Sequence, residues 1–367
     1  MPTRDEYEAA GLLERLSAGE AERLALLDWL SEQGFSVAEM AEYHRRERLY
    51  ALASDRAAQV GRPCSIEELA VAAGIDVEQA AAAIHALGLP DDEPILPIET
   101  APLLREFATA RMIFGEAATL HFARVLGSSL DRIAEAANSL VRLNVEAPMM
   151  GGEGGEIGIA RIGAASVDSL NVVAEMLAPV LRAQFQVSIA RMREAARSVR
   201  PDDERLAMAI GFVDLVGFTP TSSTLPAREL LDLLLDFERH AHELVQAFGG
   251  RVVKLIGDEV MYAAVDAADA CRIAHGLFTE LRGRDDLTPR AGIAAGEVLA
   301  HGGDYYGAVV NLASRITDIA VPWEILLAPE VAATVPPGFR AVPAGRRLLK
   351  GFPEPVTLSS LELTPPA

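Results

Sequence analysis

Three short segments in the second half of this 367-residue chain hold polar residues whose types and spacing could do chemistry. In FVDLVGFT (Phe212–Thr219) one carboxylate, Asp214, interrupts an apolar run and is followed closely by Gly217, Phe218 and Thr219. Burying such a carboxylate without a partner is costly. A second, Asp258, stands at the Ile256-Gly257-Asp258-Glu259 turn of RVVKLIGDEVMYAAV (Arg251–Val265). Either aspartate alone reads as a turn cap. Held side by side, two carboxylates repel unless a cation stands between them, and Mg²⁺ is typically bound by one or two carboxylates plus substrate phosphates. The backbone amides opened by Gly217 could receive such a phosphate. The third segment, DYYGAVVNLASRI (Asp304–Ile316), sets Asn311 and Arg315 four residues apart on a predicted helix, hence on one face. Alone, the pair reads as a surface or capping feature. Beside two metal-binding carboxylates, an amide and a guanidinium suit the charge on a transferring phosphoryl group.

The elements that must position these residues follow from the hydrophobic pattern. Strands are predicted near 206–216, 251–256, 260–265, 290–296, 298–301, 325–328 and 356–362, and helices near 227–247, 267–283 and 308–320. The order β-α-β-β-α-β predicts a ferredoxin-like sheet with helices on one face, in which the first strand lies beside the hairpin and Asp214 beside Asp258.

From Asp5 to about Arg200 the period is helical instead. Leu12–Gly34 repeats apolar residues every three or four, with Gly34 as a stop, and alanine-rich segments follow at 48–60, 66–72, 77–87, 103–113 and 116–141. Gly151–Gly158 reads as a flexible break, and a long helix is predicted from Val167 to about Arg200. The expectation is an α+β chain: an all-helical domain over 1–165, a connecting helix or linker over 166–203, and the ferredoxin-like domain over 204–367. Ser65–Pro90 has a helix-turn-helix rhythm but no Lys or Arg, whereas a DNA reader needs cations for phosphate, so it reads as a structural helical pair.

Composition narrows the function classes. Hydrophobic residues make up 50% and charged residues 23%, an ordinary globular balance that argues against wholesale disorder. The net charge of −20 is spread over the chain, −11 in residues 1–200 (19 basic, 30 acidic) and −9 in 201–367 (14 basic, 23 acidic). Such a surface does not attract nucleic acid or anionic lipid without a local basic patch. No uninterrupted apolar run reaches the length of a membrane span, and the acidic N-terminus lacks a signal core, so no transmembrane segment and a cytoplasmic location are expected. Cys64 and Cys271 read as buried, reduced thiols.

FVDLVGFT, KLIGDEVMY and DYYGAVVNLASRI resemble, in order, the signature segments of class III nucleotidyl cyclases, and the likeness covers about 206–362. The resemblance implies a homodimer with two sites shared across its interface, where Asp214 and Asp258 bind two divalent metal ions (Mg²⁺ or Mn²⁺). It also implies that Lys254 and Asp304 contact adenine, that Asn311 and Arg315 stabilise the transition state, and that Lys350 touches the triphosphate of ATP, with Phe218 and Thr219 at the substrate. An ammonium meets adenine N1 and a carboxylate accepts from its N6 amine, whereas guanine presents the reverse pattern, so ATP is the expected substrate. The product would be cyclic AMP. The helical half resembles the autoinhibitory, pH-responsive domains of soluble bacterial members. Met149-Met150 and Val172–Leu181 read as dimer core, with a small apolar ligand as the alternative. The other readings are a guanylyl cyclase, a catalytically degenerate cyclase-like binding module, a diguanylate cyclase, whose signature turn is missing, and a transcription regulator.

Overall fold

The computed structural model describes the chain apart from residues 15–18, 60, 91–93, 95, 147–154, 199–204, 219–224, 284–286 and 365–367. Thr219, parts of the 90–97 loop and of the Gly151–Gly158 break, and the end of the predicted linker therefore lie outside the described residues. The chain divides into two compact units, Met1–Arg182 and Ala183–Ala367.

The first unit is helical: α1 Arg4–Ala9, α2 Glu20–Glu32, α3 Val37–Arg45, α4 Leu52–Ala58, α5 Ile66–Ala73, α6 Val77–Ala86, α7 Ala101–Phe114, α8 Glu116–Val141, and α9 Gly155–Ala195, which continues past the unit's end. Thr3, Ser36 and Ser65 open α1, α3 and α5 with reciprocal capping boxes to Glu6, Glu39 and Glu68. Ser65–Pro90 forms the predicted pair, α5 and α6, joined at Gly74.

Two expectations for this unit are corrected. The Leu12–Gly34 helix is shorter and begins at Glu20, because Gly19 caps it in extended conformation. The long helix starts at Gly155, twelve residues before Val167, because Ile157, Ala160 and Ala164 pack on the Leu26, Leu27, Leu30 and Met40 core. By length and composition alone α9 could cross a bilayer, a pattern that core helices of soluble proteins share, so the expectation of no transmembrane segment is not overturned. That expectation counted uninterrupted apolar runs, and Asp168 and Glu175 interrupt this one.

The second unit is built on one eight-stranded sheet: β1 Arg205–Val216, β2 Arg251–Ile256, β3 Glu259–Ala264, β4 Thr288–His301, β5 Asp304–Tyr306, β6 Ile325–Leu327, β7 Phe339–Arg347 and β8 Val356–Leu363. The order is β2-β3-β1-β4-β6-β8-β7, with β5 paired to β4. Its first four strands, with α10 (Ala227–Ala247) after β1 and α11 (Ala267–Glu280) after β3, make the predicted ferredoxin-like core. The predicted strands 290–296 and 298–301 are one strand, β4. β7 escaped the sequence reading because Pro343 and Gly345 break its alternation. Such residues are tolerated where β7 lies, at the sheet edge with a shifted register.

Helices cover both faces of the sheet, correcting the one-face expectation. Ala209, Val213 and Leu215 of β1 pack with α10 and α11. Leu206, Met208, Ile210 and Phe212 pack on the other side with Ala313 and Ile316 of α12 (Ala308–Ile319). This is why the strand reads as continuously apolar. Asp214 falls on the α12 side by the same alternation.

Candidate active site

Asp214 sits near the end of β1 directly opposite Glu259 of β3 on one side and Arg290 of β4 on the other. Directly opposite residues share a face of the sheet, so two acids and one arginine form a row there. Arg290 grips Asp214 with two nitrogens, Nε at 2.7 Å and Nη2 at 2.6 Å from Oδ2, with both side chains largely buried. It also donates through Nη1 to the Asp318 carbonyl at 2.8 Å. The Asp318 carboxylate, in turn, holds Arg315 at 2.7 Å. Asp214, Arg290, Asp318 and Arg315 are therefore one connected network.

Asp258 enters from the β2–β3 turn, where its carbonyl accepts from the Leu215 amide at 3.3 Å, which seats the turn beside Asp214. Burial pushes the Asp258 carboxyl above its ordinary value, and the charge of Asp214 adds to this. Glu259 is pushed up to about 7, first by burial and then by the negative charges of Asp214, Asp318 and Asp258. An acidic cluster that resists ionising beside a carboxylate already held by a cation is deficient in positive charge. Its donors are all carboxylate oxygens, the set hard divalent ions prefer. Asp214 and Asp258 are two carboxylates of the kind that bind Mg²⁺ together with substrate phosphates; among the described residues no group of three or more His, Cys, Asp or Glu is placed to hold a metal on its own.

A second group shares no described hydrogen bond with the first. Lys254 of β2 donates to Asp304 Oδ2 at 2.6 Å, and Asp304 Oδ1 accepts from the Tyr305 amide at 2.8 Å. Asn311 is exposed on α12, one turn before Arg315. The Phe218 ring is 9% exposed and belongs to the core, just after Gly217 at φ 90°. Lys350 is exposed in the turn between β7 and β8, and no described hydrogen bond links it to either group. Arg290, Asp318 and Glu259 were missed in the sequence. A lone cation in the apolar strand TPRAGIAAG was the available signal for Arg290, of the same kind that drew attention to Asp214.

Comparison with known proteins is consistent with both units. Residues 5–194 match the family described as adenylate cyclase regulatory domain, and residues 202–361 match the family described as adenylate and guanylate cyclase catalytic domain. This chain belongs to the class III cyclases. An uncharacterized protein of Mycobacterium tuberculosis is 34% identical over 99% of this cyclase and 95% of its own length. A pH-sensitive adenylate cyclase of the same species is 28% identical over 90% of this chain and 86% of its own. An adenylate cyclase of Streptomyces coelicolor is 35% identical over 69% and 66%. The solved adenylyl cyclase CyaB from P. aeruginosa is 26% identical, with a TM-score of 0.41, covering 44% of this cyclase and 95% of that chain.

Proposed function

We propose that this class III cyclase converts ATP to 3′,5′-cyclic AMP and pyrophosphate, at sites shared between two copies of the chain. The observation that carries the reading is the Lys254–Asp304 pair, 2.6 Å apart, on the same unit as the Asp214 and Asp258 carboxylates. Lys254 has two ammonium protons left for adenine N1, and Asp304 keeps lone pairs for the N6 amine. Guanine would leave both groups mispaired, and mismatches of that kind discriminate strongly.

Asp214 and Asp258 would hold two divalent ions, Mg²⁺ or Mn²⁺, which when bound neutralise phosphate charge and acidify a ribose hydroxyl. Arg290 then exchanges Asp214 for a phosphate oxygen, and Lys350 reaches the triphosphate. Phe218, whose ring is in the core, and Thr219 contribute main-chain amides beyond Gly217. The ribose 3′ hydroxyl gives its proton to solvent, its oxygen attacks the α-phosphorus, and the bond to pyrophosphate breaks. Asn311 and Arg315 donate to the phosphorus-bound oxygens as charge builds, with Arg315 giving up Asp318 to do so.

Membership of the class III cyclases supports a site completed by a second copy. The exposed Val172, Met176, Val180 and Phe185 of α9 support a dimer as well, as apolar groups a partner would cover. Residues 1–165 act as a regulatory domain through a connector over 166–203 to the catalytic domain over 204–367. Supporting this, the regulatory-domain match ends at residue 194 and the catalytic-domain match begins at residue 202. The signal is a proton or a small apolar molecule, the proton suggested by the name of the pH-sensitive relative. Use of ATP supports a cytoplasmic location. Incubation with ATP and Mn²⁺ followed by chromatography should yield cyclic AMP and pyrophosphate. ADP, AMP or unchanged ATP would contradict the reading.

A further inference from the structure

The alternation of faces along β2 is broken once. Arg251 lies opposite Ala263 and Val252 opposite Tyr262, but the next pairing is Lys254 with Met261, so Val253 is an extra residue. Ala263 and Met261 belong to the α12 side of the sheet and Tyr262 to the other. Arg251 and Lys254, three apart, therefore emerge on one face, whereas in a regular strand they would point to opposite faces.

Both cations converge on the hairpin between β4 and β5. Lys254 takes the Asp304 carboxylate at 2.6 Å. Arg251 donates through Nη2 to the Gly303 carbonyl, one residue earlier, and its guanidinium lies over the Tyr305 ring, 5.8 Å from the centroid, one residue later. The turn between these strands is Gly302-Gly303, at φ 60° and 81°, a two-residue hairpin that needs left-handed backbone at both positions. Glycine meets that need and also leaves the turn loose, since it restricts backbone torsions least. Arg251 thus clamps both neighbours of Asp304 on a turn that is otherwise soft.

We propose that Arg251 is a positioning residue for purine choice, held on the correct face by the Val253 bulge and fixing where Asp304 presents its carboxylate beside Lys254. The inference rests on the reading of Lys254 and Asp304 as the base-recognising pair. Arg251 acts through Asp304 and does not itself touch the nucleotide.

The test compares kcat/KM for ATP and for GTP in the full-length chain carrying Arg251→Ala, Arg251→Lys, Asp304→Ala, or Arg251→Ala with Asp304→Ala. A ratio measured within one preparation cancels any loss of correctly folded enzyme. Arg251→Ala should lower the ATP/GTP ratio on the order of tenfold, mainly through a higher KM for ATP. Arg251→Lys, which keeps a donor but loses the guanidinium over Tyr305, should fall between wild type and Arg251→Ala. In the Asp304→Ala background, Arg251→Ala should leave the ratio unchanged, because the group it positions is gone. If Asp304→Ala shifts the ratio and Arg251→Ala does not, or if Arg251→Ala lowers turnover of both nucleotides equally, this inference fails and the base-recognition reading stands. If Asp304→Ala leaves the ratio at the wild-type value, that reading fails and the inference with it.

Discussion

Gly292 is where the account of site geometry can be tested without touching a site residue. It lies on β4, opposite Phe212 of β1 and Leu326 of β6, under α12. A Cβ at this position would stand 2.4 Å from the Thr317 amide nitrogen and 2.6 Å from both the Ala313 carbonyl oxygen and Thr317 Oγ1. Two of these three atoms are helix backbone, and the third is a buried hydroxyl bonded to Ala313 O at 3.0 Å. No rotamer change relieves the clash. The helix must move by about 1 Å to restore ordinary van der Waals contact, at a cost of roughly 1–3 kcal/mol. Asn311 and Arg315 ride on that helix, and a misplacement of about 1 Å can cost on the order of 100-fold in rate. Gly276→Ala is the control. It lies inside α11 with its added Cβ 3.0 Å from Leu244 Cδ2, a flexible side chain, and alanine regains about 0.5–1 kcal/mol of helix preference. Urea unfolding followed by circular dichroism, with cyclic AMP production measured in parallel, separates the two. Gly292→Ala should lower both stability and turnover, and Gly276→Ala should stay near wild type in both. A Gly292→Ala protein with wild-type midpoint and turnover would refute the claim that close helix–strand contact sets the position of Arg315.

Two further outcomes follow from charge and burial. Glu259, with its native pKa raised to about 7 from an ordinary 4.5, binds more protons folded than unfolded between those values, so its contribution to stability is lost as pH rises through that window. Glu259→Gln should therefore stabilise the metal-free protein at pH 8 relative to wild type, by about 1–2 kcal/mol after discounting for partial exposure, and not at pH 4.5; identical ΔΔG at both pH values would contradict this. In the helical unit, Arg23 of α2 is buried, pairs with Glu156 of α9 at 2.9 Å and donates toward His44 Nδ1 at 3.2 Å. Arg23→Met removes this ion pair and should lower the stability of that unit by about 1 kcal/mol or more, read by urea unfolding. Burial, then the Arg23 charge, holds the His44 pKa below its ordinary 6.5, while Glu156 and Glu14 oppose them. The unfolded chain thus takes up the proton first, and stability contributed by neutral His44 is lost as pH falls below about 6.5. Amide hydrogen exchange in α2, α3 and the first turns of α9, corrected for the intrinsic pH dependence of exchange, should show lower protection at pH 5.5 than at pH 7.5 in wild type. Replacement of His44 by Gln should reduce the difference; an equal difference in both proteins would contradict the assignment.

Much of the sheet unit was legible because its core strands announce themselves: LAMAIGF is apolar throughout since β1 is covered on both faces, and the helices after β1 and β3 fall where the period changes. Asp214 and Asp258 stood out as charges where the local pattern called for apolar or turn residues. Arg290 carries the same signal, but no motif frames it. The Val253 bulge was invisible, since it is a property of strand register and not of residue type. The long helix was cut short at its start because glycines at 151–158 suggested a break, while the packing of Ile157 and Ala160 that extends it is tertiary. Arg23, Glu156 and His44 are far apart in sequence, and only folding brings them together.

We propose that each active site takes its metal-binding carboxylates from one chain and its transition-state residues from the other. Asp214→Ala and Arg315→Ala homodimers should each be nearly inactive, since every site then carries one lesion. In a mixed dimer both lesions fall in a single site and the other is intact. Mixing the two variants with differently tagged chains, and isolating heterodimers that carry both tags, should restore cyclic AMP production toward half the wild-type value per dimer. Heterodimers that form and remain as inactive as their parents would contradict the claim.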